Sequence, residues 1–302
     1  MKYVITGGAG FIGSNIAKLL VKNGDSVIII DNLHTGNLSR LEEIRNEIEF
    51  HQIDIRDIEK MRDIIKDVDG VFHQAALTIV PESFEKPEEY FDVNVNGTKN
   101  IFSLAKEYDV KVVYASSSSI YGNVEKIPIK ENFKRNPINP YGETKLEKEK
   151  LAQDFWNKKT KIIGLRYFNV YGKGQTGSYA GVITQFMKKI SNNLSPVIYG
   201  KGTQIRDFVF VEDVADANIM CMKSQTNQGF FNIGTGKFVS ILDLAKIMIK
   251  ISGKDMKPKF DNELPGDVEK SQADTSFVEE KIGWKYQIEL EDGLRKLMNN
   301  SD

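Results

Sequence analysis

Short apolar runs alternate with amphipathic stretches through the first half of the chain. Residues 2–6, 26–30, 48–55, 71–75 and 112–116 are rich in valine, isoleucine and phenylalanine with little polar alternation, the pattern of strands buried on both faces of a parallel sheet. Between and after them, 14–23, 58–66, 88–108 and 141–155 read as helices. Strand and helix alternating without a linker predict an α/β fold, a doubly wound parallel sheet whose ligands bind at the carboxyl ends of the strands. Past residue 168 the pattern loosens into helices over 181–191, 211–223 and 240–251. Extended segments at 197–200 and 206–211 flank a turn at Gly200, Lys201 and Gly202, and the chain is expected back in the main sheet near 231–234. The expected division is 1–168 and a smaller, interleaved part, 169–302, with segments near 205–234 returning to the main sheet.

Composition narrows the partners. The 302 residues carry 41 basic and 42 acidic side chains, a formal charge of −1, without the basic excess that binding a phosphate backbone requires. Nucleic acid is therefore not an expected partner. No apolar run reaches the ~18 residues of a membrane span, and the first strand stands where a removable signal would. No membrane association and a cytoplasmic location are expected. Cys221, the single cysteine, lies between Met220 and Met222 and reads as a core thiol. His34, His51 and His73 lack metal-ligand spacing, so no metal is expected.

The candidate chemistry begins at the N-terminus, where 6–13 reads TGGAGFIG between a strand and a helix. Gly7 permits the tight turn, Gly10 lets backbone approach a pyrophosphate, and Gly13 lets the helix pack on the sheet. Phe11 and Ile12 complete the turn at the helix N-terminus, where an anion is favoured. Asp31 ends the second strand at the distance where a carboxylate meets the adenosine ribose, accepting from the 2′-hydroxyl and repelling a 2′-phosphate. NAD is expected rather than NADP, with Asn32, His34 and Arg40 as neighbours able to modify the preference. Asp54 and Ile55 are expected at the adenine. Ala75 and Ala76, following His73 and Gln74, are small enough to let a cofactor pass. Tyr141 and Lys145 stand four apart on one helical face, where the ammonium favours the ionised phenol and makes it a proton acid/base beside a hydride carrier. Ser116, Ser117, Ser118 and Ser119 cluster at the end of the fifth strand and are expected to face the same crevice.

These residues resemble the extended short-chain dehydrogenases that modify nucleotide-activated sugars, especially UDP-glucose 4-epimerase-like proteins. The motifs carrying the resemblance are TGGAGFIG at 6–13, HQAA at 73–76, NVNGT at 94–98, SSSSIYG at 116–122 and PYGETK at 140–145. The later half adds RYFNVYG at 166–172, RDFVFVEDVADA at 206–217, FNIGTG at 231–236 and PGD at 265–267. The resemblance implies a Rossmann-type NAD-binding domain. It implies Tyr141 as catalytic acid/base, Lys145 as its electrostatic partner and nicotinamide-ribose ligand, and Ser117 as the hydroxyl beside the sugar. Asn94 would help hold the cofactor, Asn169 contact the sugar nucleotide and Arg206 bind the diphosphate, unless Arg206 pairs with Asp207 or Glu212. Thr78 and Ser118 join the expected substrate contacts. Ser271 would leave room at the sugar 2-position for an N-acetyl group.

Related chains commonly carry arginine before PGD, where this one has Leu264, with Lys201 or Lys270 as possible substitutes. Sugar 4,6-dehydratases place acidic residues where this chain has Ser118 and Ser119, and UDP-glucuronate decarboxylases place a glutamate nearby. Reversible oxidation without a second chemical step remains. The implied reaction is NAD-dependent 4-epimerisation of a UDP-hexose through a 4-keto intermediate, in a homodimer joined by a four-helix bundle. The alternatives are a UDP-glucuronate 4-epimerase, another nucleotide-sugar oxidoreductase, or a non-catalytic NAD-binding regulator.

Overall fold

The computed structural model describes residues 1–175, 181–263 and 268–299. In chain order the elements are β1 (Lys2–Thr6), α1 (Phe11–Lys22), β2 (Ser26–Ile30), β3 (Ile48–His51), α2 (Ile58–Ile65), β4 (Gly70–His73), α3 (Val80–Glu85), α4 (Pro87–Phe91), α5 (Gly97–Glu107) and β5 (Lys111–Ser117). They continue as α6 (Pro140–Trp156), β6 (Ile162–Tyr167), β7 (Asn169–Tyr171), α7 (Val182–Ser191), β8 (Val197–Tyr199), β9 (Ile205–Arg206), β10 (Phe208–Phe210) and α8 (Val211–Lys223). The last are β11 (Gln228–Ile233), β12 (Val239–Ser240), α9 (Ile241–Ser252), β13 (Lys259–Asp261), β14 (Lys270–Ser271), α10 (Ser276–Ile282) and α11 (Leu290–Asn299). Among the described residues no helix is long and apolar enough to cross a membrane.

Seven parallel strands form the main sheet in the order β3-β2-β1-β4-β5-β6-β11, the Rossmann-type doubly wound arrangement expected. Successive side chains of a strand point to opposite faces, and the sheet has a core on each. Tyr3, Ile5, Val27, Ile29, Phe72 and Val113 pack under α1 and α8. Val4, Ile28, Ile30, Val71, Val112 and Tyr114 pack under α2, α5 and α6. A third cluster, with Phe186, Ile198, Phe208, Leu244, Met248 and Leu294, builds the smaller part. The Cys221 thiol is buried in the first core.

Several expected boundaries move. The third strand stops at His51 instead of running to Ile55, because Asp54 leaves the ladder to accept hydrogen bonds from Asn32 and Arg56. The single helix expected over 88–108 is α4, a π-helical stretch at Asp92–Asn96, and α5. That wider turn carries Asn94, and such stretches recur where a side chain must be re-aimed. A 3₁₀ helix at Leu38–Glu47 and the short α3 had no helical signal strong enough to read. The segments at 197–200 and 206–211 do not pair with each other. Gly200 and Gly202 take left-handed φ of 71° and 72°, and the chain leaves β8 paired with β13 while β9 joins β12 and β14. Of 205–234, only β11 enters the main sheet, with α8 packed on α1 at its face.

Candidate active site

The strand order reverses between β1 and β4, and a cleft of about 350 Å³ opens at the carboxyl ends there, the place where doubly wound sheets bind ligands. Gly7, Gly10, Phe11, Ile12, Gly13, Asp31, Asn32, Asp54, Ile55, Ala75, Ala76, Thr78, Ser117, Tyr141 and Lys145 all line it. Two glycines are required by close approach. Gly7 has φ 69°, and a Cβ there would lie 2.6 Å from the Ala75 nitrogen; one on Gly13 would collide with the Gly7 carbonyl. Asp31 accepts from the Ala9 and Leu33 amides at 3.0 and 2.8 Å. Its burial pushes its pKa up, against those hydrogen bonds and the Arg40 charge. The Arg56 fork holds Asp54 down to about 2.

At the other end of the cleft, α6 starts at Pro140 behind the N-cap Asn139, whose Oδ1 accepts from the Gly142 amide at 2.8 Å. The helix presents Tyr141 and Lys145 together, with the Lys145 Nζ 5.4 Å from the phenol ring centroid and donating to the Ala115 carbonyl at 3.0 Å. Ser117 ends β5, and its Oγ accepts from the Ser119 amide at 3.1 Å and the Ser119 hydroxyl at 2.9 Å. Its own proton is thus left to donate, and it pulls the Tyr141 pKa down. The lysine does not carry the expected shift: burial outweighs the other influences and pushes Tyr141 up to about 12. Burial also brings Lys145 down to about 8.

Five residues expected at cofactor or substrate stand outside the lining of this cleft. Asn94 is wholly buried. Its Oδ1 accepts from the Leu77 amide at 2.8 Å, and its Nδ2 donates to the Leu77 carbonyl and to Thr144 Oγ1, both at 3.0 Å. It therefore fixes a cleft wall through Leu77, which lines the cleft. Ser118 turns into a 3₁₀ helix at Ser118–Tyr121, outside the cleft lining, because Ser117 caps that turn. Asn169, Arg206 and Ser271 gather in a second cluster. Asn169 Nδ2 donates to the Asp207 carbonyl at 3.1 Å, and Ser271 is the register partner of Arg206 in adjacent strands. Phe168 and Val170, on either side of Asn169, line the cleft and join the cluster to it. Leu264, Pro265, Gly266 and Asp267 fall outside the described residues.

A model of the NAD dependent epimerase/dehydratase family matches residues 3–234. The chain belongs to that family. A putative UDP-glucose 4-epimerase of Methanocaldococcus jannaschii is 41% identical, covering 98% of this chain and 97% of that one. A UDP-glucose 4-epimerase from Thermotoga maritima, solved with UDP-glucose, superposes with a TM-score of 0.94 at 35% identity, covering 99% and 98% of the two chains. A UDP-N-acetylglucosamine 4-epimerase from Methanobrevibacter ruminantium, solved with UDP-N-acetylmuramic acid, gives 0.93 at 37% identity over 99% and 97%.

This family member is an NAD-dependent epimerase, and its residues fit the dinucleotide. The glycine cradle at Gly7 and Gly13 has no room for a Cβ, and the Asp31 carboxylate at one end of the cleft and Tyr141 and Lys145 at the other are groups able to hold its riboses. Several residues shape the epimerase site in ways that their motifs did not reveal. Asp207 is buried, and its carboxylate accepts from the Thr235 amide and hydroxyl, the Gly236 amide and the Ala273 amide at 2.7 to 3.0 Å. It holds the loop after β11 against the segment following Ser271; Glu212 pairs with Lys296 at 3.3 Å. Ser83 Oγ accepts from the Tyr141 amide at 3.2 Å. His73 bridges Thr6 and Thr98 at 2.7 and 2.8 Å and is held neutral by burial and by Lys148 and Lys145.

Proposed function

We propose that this epimerase inverts C4 of a UDP-hexose, interconverting UDP-glucose and UDP-galactose and, with room at Ser271, their N-acetylated counterparts. The observation that carries the reading is the convergence of Tyr141, Lys145 and Ser117 on one end of the cleft, with serines at the two positions following Ser117. That set moves a proton at a carbinol and lacks, at 118 and 119, the acid and base of an elimination. NAD, when bound, supplies a reversible hydride acceptor. Tyr141 takes the 4-hydroxyl proton as that carbon loses hydride, and returns it once the 4-keto sugar has been reduced on its opposite face. The Ser117 hydroxyl favours the phenolate against the burial that opposes it, and Lys145, beside the phenol ring, would hold the nicotinamide ribose. Arg206 and Asn169 hold the nucleotide while the hexose turns. The UDP-sugar relatives support the choice of nucleotide sugar.

The deciding experiment is product analysis by NMR with UDP-glucose, UDP-N-acetylglucosamine and UDP-glucuronate offered separately. The first two are expected to yield 4-epimers, and Tyr141→Phe, lacking the proton relay, to lose turnover by roughly 10²-fold or more. Near wild-type activity in that variant would remove Tyr141 from the reaction. We also infer a homodimer through a four-helix bundle of α5 and α6, whose outer faces meet in a groove lined by Lys99, Ser103, Lys106, Leu151 and Asp154 above the buried Phe155.

A further inference from the structure

Behind the cleft, and outside its lining, the Arg40 guanidinium joins three segments that do line it. Its Nη1 donates to the Ala9 carbonyl at 3.0 Å and the Thr35 carbonyl at 3.3 Å, and its Nε donates to the Gly174 carbonyl at 2.9 Å. Ala9 belongs to the glycine turn, Thr35 to the loop after β2, and Gly174 to the loop after β7. Gly10, Thr35 and Gln175 face the cleft from those three segments. Ala9 is held on both sides by opposite charges: its N–H donates to Asp31 at 3.0 Å and its carbonyl accepts from Arg40, alongside the Asn37 amide at 2.9 Å. Gly174 has φ 96°, and a Cβ there would stand 3.8 Å from both the Arg40 stem and the Phe11 ring. A nearby tie runs in the same direction, with Glu43 pairing with Lys18 of α1 at 2.9 Å and Lys173 at 3.7 Å. A rigid, permanently charged fork is suited to holding several carbonyls at once, which a lysine does less well. With these donors on backbone, Arg40 is not placed to receive a 2′-phosphate.

We propose that Arg40 is a positioning residue that locks the glycine turn, the ribose loop and the loop after β7 into one wall, coupling cofactor retention to binding of the nucleotide sugar. Its hold on the cofactor stands on the hydrogen bonds alone, whereas the coupling rests on the UDP-sugar reading. Loss of the guanidinium leaves the Ala9 carbonyl to the Asn37 amide alone and so loosens the glycine turn on one side, and the loop leading from Asn169 on the other. Both ligands should then bind more weakly, and the chemistry at Tyr141, at the far end of the cleft, should persist.

The test compares wild type, Arg40→Met and Arg40→Lys in the full chain by calorimetric titration with NAD and with UDP, by steady-state kinetics at saturating NAD, and by thermal melting. Arg40→Met is expected to weaken NAD by about tenfold or more, the loss of one or two charge-assisted hydrogen bonds. It should also weaken UDP and leave kcat within about twofold, with Arg40→Lys intermediate. Unchanged NAD affinity in Arg40→Met overturns the proposal, and weakened NAD with unchanged UDP affinity overturns the coupling. A collapse of kcat at saturating NAD would place Arg40 in the chemistry and overturn its role as a positioning residue. Failure of wild type to turn over any UDP-sugar strikes the proposed reaction instead, and the NAD titration still decides the cofactor half.

Discussion

Lys148 lies one helical turn beyond Lys145 on α6, fully buried, with no hydrogen-bond partner at its Nζ. It sits 5.4 Å over the ring of Tyr114, whose hydroxyl is likewise unpartnered. Burial and the Lys145 charge hold its pKa well below the ordinary 10.5, so it is easier to protonate in the unfolded chain than in the fold. Such a group opposes folding below its unfolded pKa, and the penalty disappears above it. Lys148→Met, similar in volume and apolar, is expected to raise the melting temperature at pH 7, with the gain shrinking as pH approaches about 10.5. An equal or lower melting temperature at pH 7 would count against a buried, unpaired amine. Lys145 carries a penalty of the same sign: about 8 against 10.5 corresponds to about 3 kcal/mol. Lys145→Met should gain stability and lose turnover, whereas Lys148→Met should keep turnover. Tyr141, Lys145 and Ser117 were legible because each stands in a short motif whose spacing is itself the chemistry. Lys148 was not, because a lysine on a helix normally faces water.

At the scale of elements, α6 shows how a helix can be buried through polar groups. The face it turns to β5 and β6 carries Lys145, Lys148 and Glu149 besides Ala152 and Phe155. Glu149 forms a two-pronged pair with Arg166 of β6 at 2.8 and 2.7 Å and accepts from Ser116 at 2.7 Å. Arg166 extends the network to Tyr121, which donates to Asn232 of β11 at 2.7 Å. Removing one partner of a buried pair leaves the other charge without compensation, at a typical cost of about 3–5 kcal/mol. Glu149→Ala is expected to lose about that much in urea unfolding, with Arg166→Met in the same background recovering part of it. A loss below about 1 kcal/mol would show that the network is dispensable. The helix itself could be read from its starting signals and motif. The broken helix over 88–108 could not, because the π-helical stretch answers to Asn94 reaching Leu77 and Thr144, residues distant in sequence.

For the whole molecule, the proposed dimer turns on the outer faces of α5 and α6. Leu151 is only half-buried there, beside Phe155 and opposite Ser103. Leu151→Arg would place a charge in the bundle seam, where desolvation without a partner is costly. Sedimentation at micromolar concentration should then move from the mass of two chains to that of one, while NAD affinity is kept. A variant still dimeric would refer the interface to another face. The parallel sheet, by contrast, answers to the chain alone, its seven strands all paired within it.

What the sequence determined by itself is therefore local: strands 2–6 and 26–30, the glycine turn between strand and helix, and the Tyr141–Lys145 pair on one helical face. Each is fixed by the steric and hydrogen-bonding needs of a few consecutive residues. Tertiary structure decided whatever depends on burial or on long-range partners. It moved Tyr141 up to about 12 where helical spacing suggested a lowered phenol. It made Asn94 a brace of the cleft wall, tied Asp207 to the loop after β11, and drew Asn169, Arg206 and Ser271 into a cluster of their own. Desolvation and hydrogen bonds across dozens of residues set these outcomes, and neither is encoded in the spacing of neighbours along the chain.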